Sequence, residues 1–217
     1  MAYNDPNEYY RRNRNETRSY FIDFLLQIIP KKEMSTYNVA ELGVGNGANM
    51  FLLANYTRFC HGFEASDEAC KDIQRQIDIH PHREKLKIEN VRLPHRLNNP
   101  VRYDILIYGF MGYLLSDDEL EKQKSYSLEV LNGTGSYIYI FDFISREKKS
   151  RTEEGVSKRT LQFWLEHFSE LDLLNFQLFD DCRDNKLIDD LTVVNTNLTS
   201  DDNRWMFAAL FRKMDKR

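Results

Sequence analysis

The stretch Val39-Ala40-Glu41-Leu42-Gly43-Val44-Gly45-Asn46-Gly47-Ala48 decides how the rest of this 217-residue chain is read. It begins as a short apolar run broken by one carboxylate. It ends in glycines at alternate positions, and a helical pattern follows from Asn49 to Tyr56. That order reads as a buried strand, a tight turn and the start of a helix. Glycine is needed where the backbone takes positive φ or must come close to another group. The N–H groups of such a turn, and of the helix start behind it, are available to a bound group.

Two families turn in this way. Dinucleotide enzymes carry G-x-G-x-x-G/A, which Gly43, Gly45 and Ala48 match. The stretch also resembles the first motif of class I S-adenosylmethionine (SAM) methyltransferases, acid-x-G-x-G-x-G. Glu41, Gly43, Gly45 and Gly47 match that motif at every position. The residue two before the first glycine separates the readings. A nicotinamide fingerprint has an apolar residue there. The methyltransferase resemblance implies a carboxylate, placed near the cationic methionine end of the cofactor.

Beyond the turn, Phe59 to Phe63 reads as a second strand ending at Glu64-Ala65-Ser66. Glu64 stands about 20 residues past the turn, where both families place an acid for the ribose hydroxyls; a carboxylate can accept both hydrogen bonds. The alternative is a solvated surface carboxylate. Ser66 reads as the cap of a helix running to about Ile79. Lys85 to Leu93 is a third strand. The family often has an acid after it, bonded to adenine, but this chain has Arg92-Leu93-Pro94-His95, which leaves the adenine contact unassigned. Tyr103 to Phe110 pairs one acid with a continuous apolar run, the pattern of a central parallel strand. Gly109 to Leu115 then turns at the carboxyl end of the sheet, where open α/β sheets bind ligands. Asp117 to Leu131 reads as a helix, and Tyr137 to Phe143 as a fifth strand with Asp142 near its end. A helix at 157–168 and strands at Leu171–Phe179 and Arg204–Arg212 complete the pattern. In the family such last strands pair as an antiparallel hairpin. Residues 180–203 read as an exposed acidic connection.

Toward the amino end, residues 5–18 are polar, with Tyr9, Tyr10, Arg11, Arg12 and Arg14. Residues 16–29 read as a helix that Pro30 stops. Many small methyltransferases resemble this, with an N-terminal helical segment (here residues 1–35) closing over the cofactor. Tyr10 and Arg14 are its candidate contacts.

Composition bounds the rest. Hydrophobic residues make up 41% and charged residues 29%, which reads as a soluble globular domain. A net charge of −4 gives no bulk attraction to nucleic acid or anionic membrane. No apolar run approaches the roughly 18 residues of a membrane span. Cys60, Cys70 and Cys182 are widely spaced and form no metal motif, which suits a reducing compartment. With a polar, charged amino end and no signal peptide, the expected location is cytoplasmic.

The expectation is one α/β domain over residues 1–217. It has a seven-stranded, mostly parallel sheet, helices on both faces and an antiparallel C-terminal strand hairpin. The resemblance implies SAM as cofactor and methyl transfer to a small-molecule acceptor. It assigns the backbone of Gly43, Gly45 and Gly47 to the methionine end, Glu41 to its orientation, Glu64 and Ala65 to the nucleoside, the Tyr108 carbonyl to the ammonium, and Phe110 and Met111 to adenine. Asp142 is the polar candidate for catalysis, against a helix cap or loop hydrogen bond as alternative. His95 is a candidate base and so is His167, against surface histidines. Tyr113 is a candidate substrate contact, and so are Arg146 and Arg151, because the basic excess of residues 145–159 suits an anionic acceptor; a solvated lead-in to the next helix is the alternative. No metal site and no nucleic-acid or membrane partner is expected. A nicotinamide oxidoreductase and a SAM-binding subunit without transfer activity are the other readings.

Overall fold

The computed structural model describes residues 5–16, 19–97, 101–145, 150–151, 157–180, 187–188 and 205–214. Its strands are β1 (Asn38–Leu42), β2 (Phe59–Glu64), β3 (Leu86–Asn90), β4 (Ile105–Gly109), β5 (Tyr137–Phe143), β6 (Ser150–Arg151), β7 (Ser157–Lys158), β8 (Asp172–Asp180), β9 (Leu187–Ile188) and β10 (Trp205–Arg212). The helices are α1 (Pro6–Asn13), α2 (Tyr20–Ile28), α3 (Lys31–Met34), α4 (Ala48–Leu53), α5 (Asp67–Ile79), α6 (Asp117–Val130) and α7 (Leu161–His167).

The main sheet has the order β3-β2-β1-β4-β5-β10-β8-β9. Strands β1 to β5 run parallel to their neighbours, and β10 is antiparallel to both β5 and β8. This is the expected seven-stranded α/β sheet with its antiparallel end. The two-residue β9 adds an eighth strand within the segment read as a loop. The charged segment 145–159 also holds structure: β6 and β7 pair as a small antiparallel ladder.

Successive side chains alternate between the two faces of a strand, and both faces are covered here, so the central strands read as unbroken apolar runs. Leu106, Tyr108, Ile138 and Ile140 pack on one side with Leu120 and Val130 of α6, Trp164 of α7 and Phe168 just after it. Ile105, Ile107, Tyr139 and Phe141 pack on the other with Phe21, Leu25, Met50, Leu53, Ile73 and Ile77 of α2, α4 and α5. Ser66 caps α5 through the Ala69 N–H at 3.1 Å, and Ser116 forms a reciprocal capping box with Glu119 at the start of α6. Among the described residues no helix is long and apolar enough to cross a membrane.

Helix α1 was not distinct in the sequence, since it is polar on most sides. Asp5 caps it, accepting from the N–H groups of Asn7 and Glu8, and Pro6 opens its first turn.

Candidate active site

A cleft of about 620 Å³ opens at the carboxyl ends of β1, β2, β4 and β5. Its floor is the glycine turn. Gly43 and Gly45 both have left-handed φ, at 73° and 57°. A Cβ placed on Gly45 would meet no atom within 4 Å, so that position faces open space in the cleft. Gly47 behaves differently. It begins α4 with φ of 79°, and a Cβ there would lie 3.0 Å from Phe51 and 3.1 Å from Ile73. It does not line the cleft. Its lack of a side chain serves helix packing.

Glu41 lies on the cleft wall with 1% of its surface exposed. Its Oε1 accepts from Asn49 Nδ2 at 2.9 Å, and its Oε2 is buried without a hydrogen-bond partner. Burial pushes its pKa up to about 8; the Asn49 bond opposes the shift and the nearby Glu64 charge adds to it. A buried carboxylate oxygen without a partner is costly.

Glu64, at the end of β2, also lines the cleft. Its Oε2 accepts from Gly45 N at 2.9 Å and its Oε1 from Ser66 N at 2.9 Å. The carboxylate therefore ties the glycine turn to the head of α5, a structural duty the sequence did not show. A carboxylate has about four acceptor sites, so Glu64 keeps capacity for a ligand. Burial raises the Glu64 pKa, and these backbone bonds partly offset the rise. Ala65, Val91, Arg92 and Leu93 continue the wall from Glu64, and Met111 faces the same cleft.

Tyr108, expected to offer its carbonyl, points its side chain away from the cleft. Strand alternation turns its ring into the α6 layer, where its hydroxyl donates to Ser127 Oγ at 2.7 Å. Gly109 borders the cleft instead. A Cβ there would lie 2.6 Å from Phe141 and 3.2 Å from Glu41 Oε1, so only glycine fits. Phe110 follows with φ of 49°, a conformation that non-glycine residues seldom hold outside functional sites. Its ring lies 4.9 Å from that of Phe143 and 5.4 Å from those of Phe21 and Phe141.

Asp142 is 1% exposed and does not line the cleft. Its Oδ2 accepts from Tyr113 N at 3.0 Å and its Oδ1 from Phe143 N at 2.7 Å. Burial pushes its pKa up to about 7. The side chain holds the loop after β4, and the geometry fits the loop-bond alternative rather than catalysis. His95 is exposed, its backbone N–H donates to Gln123 Oε1, and it lies outside the cleft. His167 lies on α7, also outside the cleft. Tyr113 does line the cleft. Arg146 lies outside the described residues, and Arg151 is described only as backbone of β6.

Helix α1 and residues 14–16 roof the cleft. Asn7 Oδ1 accepts from Ser66 Oγ at 2.7 Å and from Glu68 N at 3.2 Å, and Arg11 Nε donates to Glu68 at 2.8 Å. Tyr10 donates to Asp72 Oδ2 at 2.8 Å. Asn46, in the glycine turn, donates from Nδ2 to the carbonyls of Arg14 and Glu16 at 2.9 and 2.8 Å. The Tyr9 hydroxyl reaches across to the Tyr113 hydroxyl. Tyr10 and Arg14, the expected lid residues, both line the cleft. Asn7 and Tyr9 of the roof were missed, since polar side chains in a polar segment give no periodic signal, and so was Asn46, the residue of the glycine turn that holds the roof.

Arg159, also missed, is 1% exposed. It donates to the carbonyls of Gly112 (2.6 Å) and Leu115 (2.7 Å) and to Asp117 (2.9 Å). It clamps the loop after β4, which Asp142 also holds. Lys158, one residue before it, lines the cleft with its ammonium 5.4 Å above the Phe143 ring. Among the described residues no group of three His, Cys, Asp or Glu side chains could hold a metal ion.

No family model and no curated protein sequence matches the chain. Solved structures do. The chain is similar to the N-methyltransferase NodS of Bradyrhizobium japonicum WM9, with 13% identity and a TM-score of 0.62 over 95% of this chain and 97% of that one. NodS has also been solved with S-adenosyl-L-homocysteine (SAH). The chain is similar to the glycopeptide N-methyltransferase MtfA, with 11% identity and a TM-score of 0.64 over 90% of this chain and 89% of that one. It is equally similar in fold to the [4+2]-cyclase SpnF, with 14% identity and a TM-score of 0.67 over 90% and 80%. The chain thus has the Rossmann-like fold of class I SAM-dependent methyltransferases.

Proposed function

We propose that this protein binds SAM in the cleft and transfers its methyl group to a small-molecule acceptor. The observation that carries the reading is Glu41: a buried carboxylate oxygen without a partner, facing a cleft floored by a glycine turn open enough for a ligand to touch backbone. That arrangement fits a cationic amine lying against backbone N–H groups. Glu41 would take the ammonium of the methionine end, Glu64 the ribose hydroxyls, and Ala65, Leu93 and Met111 the adenine. When bound, SAM supplies a sulfonium-activated methyl group with a neutral leaving group. The protein then has to align the acceptor and keep water out. The roof of α1 serves exclusion, acting as a lid fixed to α5 and to the glycine turn. Asp142 and Arg159 fix the acceptor side by holding the loop that carries Tyr113.

The similarity to SpnF favours a second reading, since that structure joins this fold to a cyclase. A SAM-binding protein without methyl transfer would show cofactor binding and no turnover. The discriminating experiment is calorimetric titration with SAM, SAH and NADH, followed by a methyl-transfer screen on small molecules. SAM and SAH should bind, and NADH about tenfold or more weakly. Tight NADH binding with no SAM or SAH binding would refute the proposal.

A further inference from the structure

The acceptor side of the cleft carries a specific chemical pattern. The rings of Phe110 and Tyr113 stand 4.9 and 5.1 Å from that of Phe143, the latter edge to face. All three residues line the cleft, and Tyr9 closes over them from α1. Flat apolar walls of this kind favour a flat apolar ligand, since buried apolar area is worth roughly 25 cal/mol per Å² and ring pairs add to it.

The same wall also holds a cation. Lys158 is half-buried above Phe143. Its place is set by the residue behind it. Arg159 is anchored on two carbonyls of the loop after β4 and on Asp117, and its own carbonyl accepts from Ser145 N at 2.9 Å. The ammonium therefore sits on a braced strand rather than on a free arm. Burial disfavours its charge, and the Asp142 carboxylate beneath the same loop favours it. A cationic acceptor would meet like charge at this wall, whereas a carboxylate would meet an opposite one in a partly desolvated place.

Resting on the methyl-transfer reading, we infer that the acceptor is a planar aromatic carboxylate, its ring among Phe110, Tyr113 and Phe143 and its carboxylate paired with Lys158. The basic character expected of segment 145–159 is thereby narrowed to one described side chain on the cleft wall.

The test uses the full chain saturated with SAH, titrated with 4-hydroxybenzoate and with tyramine, two probes of similar shape and opposite charge. 4-Hydroxybenzoate should bind at least about tenfold more tightly than tyramine, and added salt should weaken it. Lys158→Met should lower 4-hydroxybenzoate affinity about tenfold to a hundredfold, the range of a charged hydrogen bond. Lys158→Arg should retain most of the affinity, and both variants should bind SAH as the wild type does. Binding of tyramine as tight as that of 4-hydroxybenzoate, an unaffected Lys158→Met variant, or no 4-hydroxybenzoate binding by protein that does bind SAH overturns this inference and leaves methyl transfer standing. Failure to bind SAH at all overturns both.

Discussion

Glu41→Gln tests the cofactor reading through a proton. With a pKa of about 8, the Glu41 carboxyl is mostly neutral at pH 6 in the free protein. An ammonium placed against its unpartnered Oε2 needs the ionised form. Binding then draws from the ionised fraction, about one molecule in a hundred at pH 6 and about half at pH 8. Apparent affinity for SAH should rise about 50-fold between those pH values, with about one proton released per ligand at the lower pH. Glu41→Gln keeps the shape and the Asn49 contact but removes the charge. It should weaken SAH binding at pH 8 about tenfold to a hundredfold, from a charged hydrogen bond worth roughly 1.5–3 kcal/mol, and it should flatten the pH dependence. Calorimetry at pH 6, 7 and 8 in phosphate and in imidazole reads both quantities, because the difference in heat between the buffers counts protons. Equal affinity at pH 6 and 8 with equal heats in the two buffers, or a Glu41→Gln variant that binds like wild type at pH 8, would refute the assignment.

Other consequences follow from the same geometry. Glu64→Ala should weaken SAH binding about tenfold to a hundredfold and, because it strips acceptors from Gly45 N and Ser66 N, also lower Tm by several degrees, at roughly 1–3 kcal/mol per lost acceptor; an unchanged Tm would show those bonds to be dispensable. Gly112→Ala should destabilise strongly, since its Cβ would run into Trp164 and lie 2.7 Å from Asp142 Oδ2; a wild-type melting curve would contradict the packing. The folded pKa values of Glu41 (about 8) and Asp142 (about 7) lie above those of the unfolded chain, so the stability they confer is fully present below about pH 4 and is lost as pH rises through 7 and 8. Tm should therefore fall from pH 6.5 to 8.5, and fall less in Glu41→Gln; a flat profile in the wild type would disprove both shifts.

The order of strands was legible because burial on both faces writes continuous apolar runs into β1, β4 and β5. Glu41 and Glu64 were legible because their spacing from the glycines is a local property of strand, turn and helix. What failed was what alternation and distant contact decide. The burial of the Tyr108 ring was not legible, because a strand sends neighbouring side chains to opposite faces and the local sequence does not say which face borders the cleft. Asp142 looked available because it ends a strand, yet one of its oxygens is taken by Tyr113 N of the loop after β4 and the other by Phe143 N of its own strand. Lys158 and Arg159 sit side by side in a charged run, and nothing local distinguishes the cation on the cleft wall from the one buried under the loop. Gly47 fits the motif in sequence but answers to Ile73, 26 positions away.

Strand β10 lies between β5 and β8, although it is synthesised after both. Until residues 205–212 have left the ribosome, β5 has no partner on its outer side and β8 has no place in the sheet. For that interval the nascent chain carries unpaired strand edges with strongly apolar faces, the features that invite pairing with another chain. The glycine turn that floors the cleft is made early, on β1, so that half of the cleft can take shape while the sheet that must support it is still open. Quality control during biosynthesis therefore bears on the carboxyl-terminal strand: loss of a few residues there would leave a cleft built on an unfinished sheet.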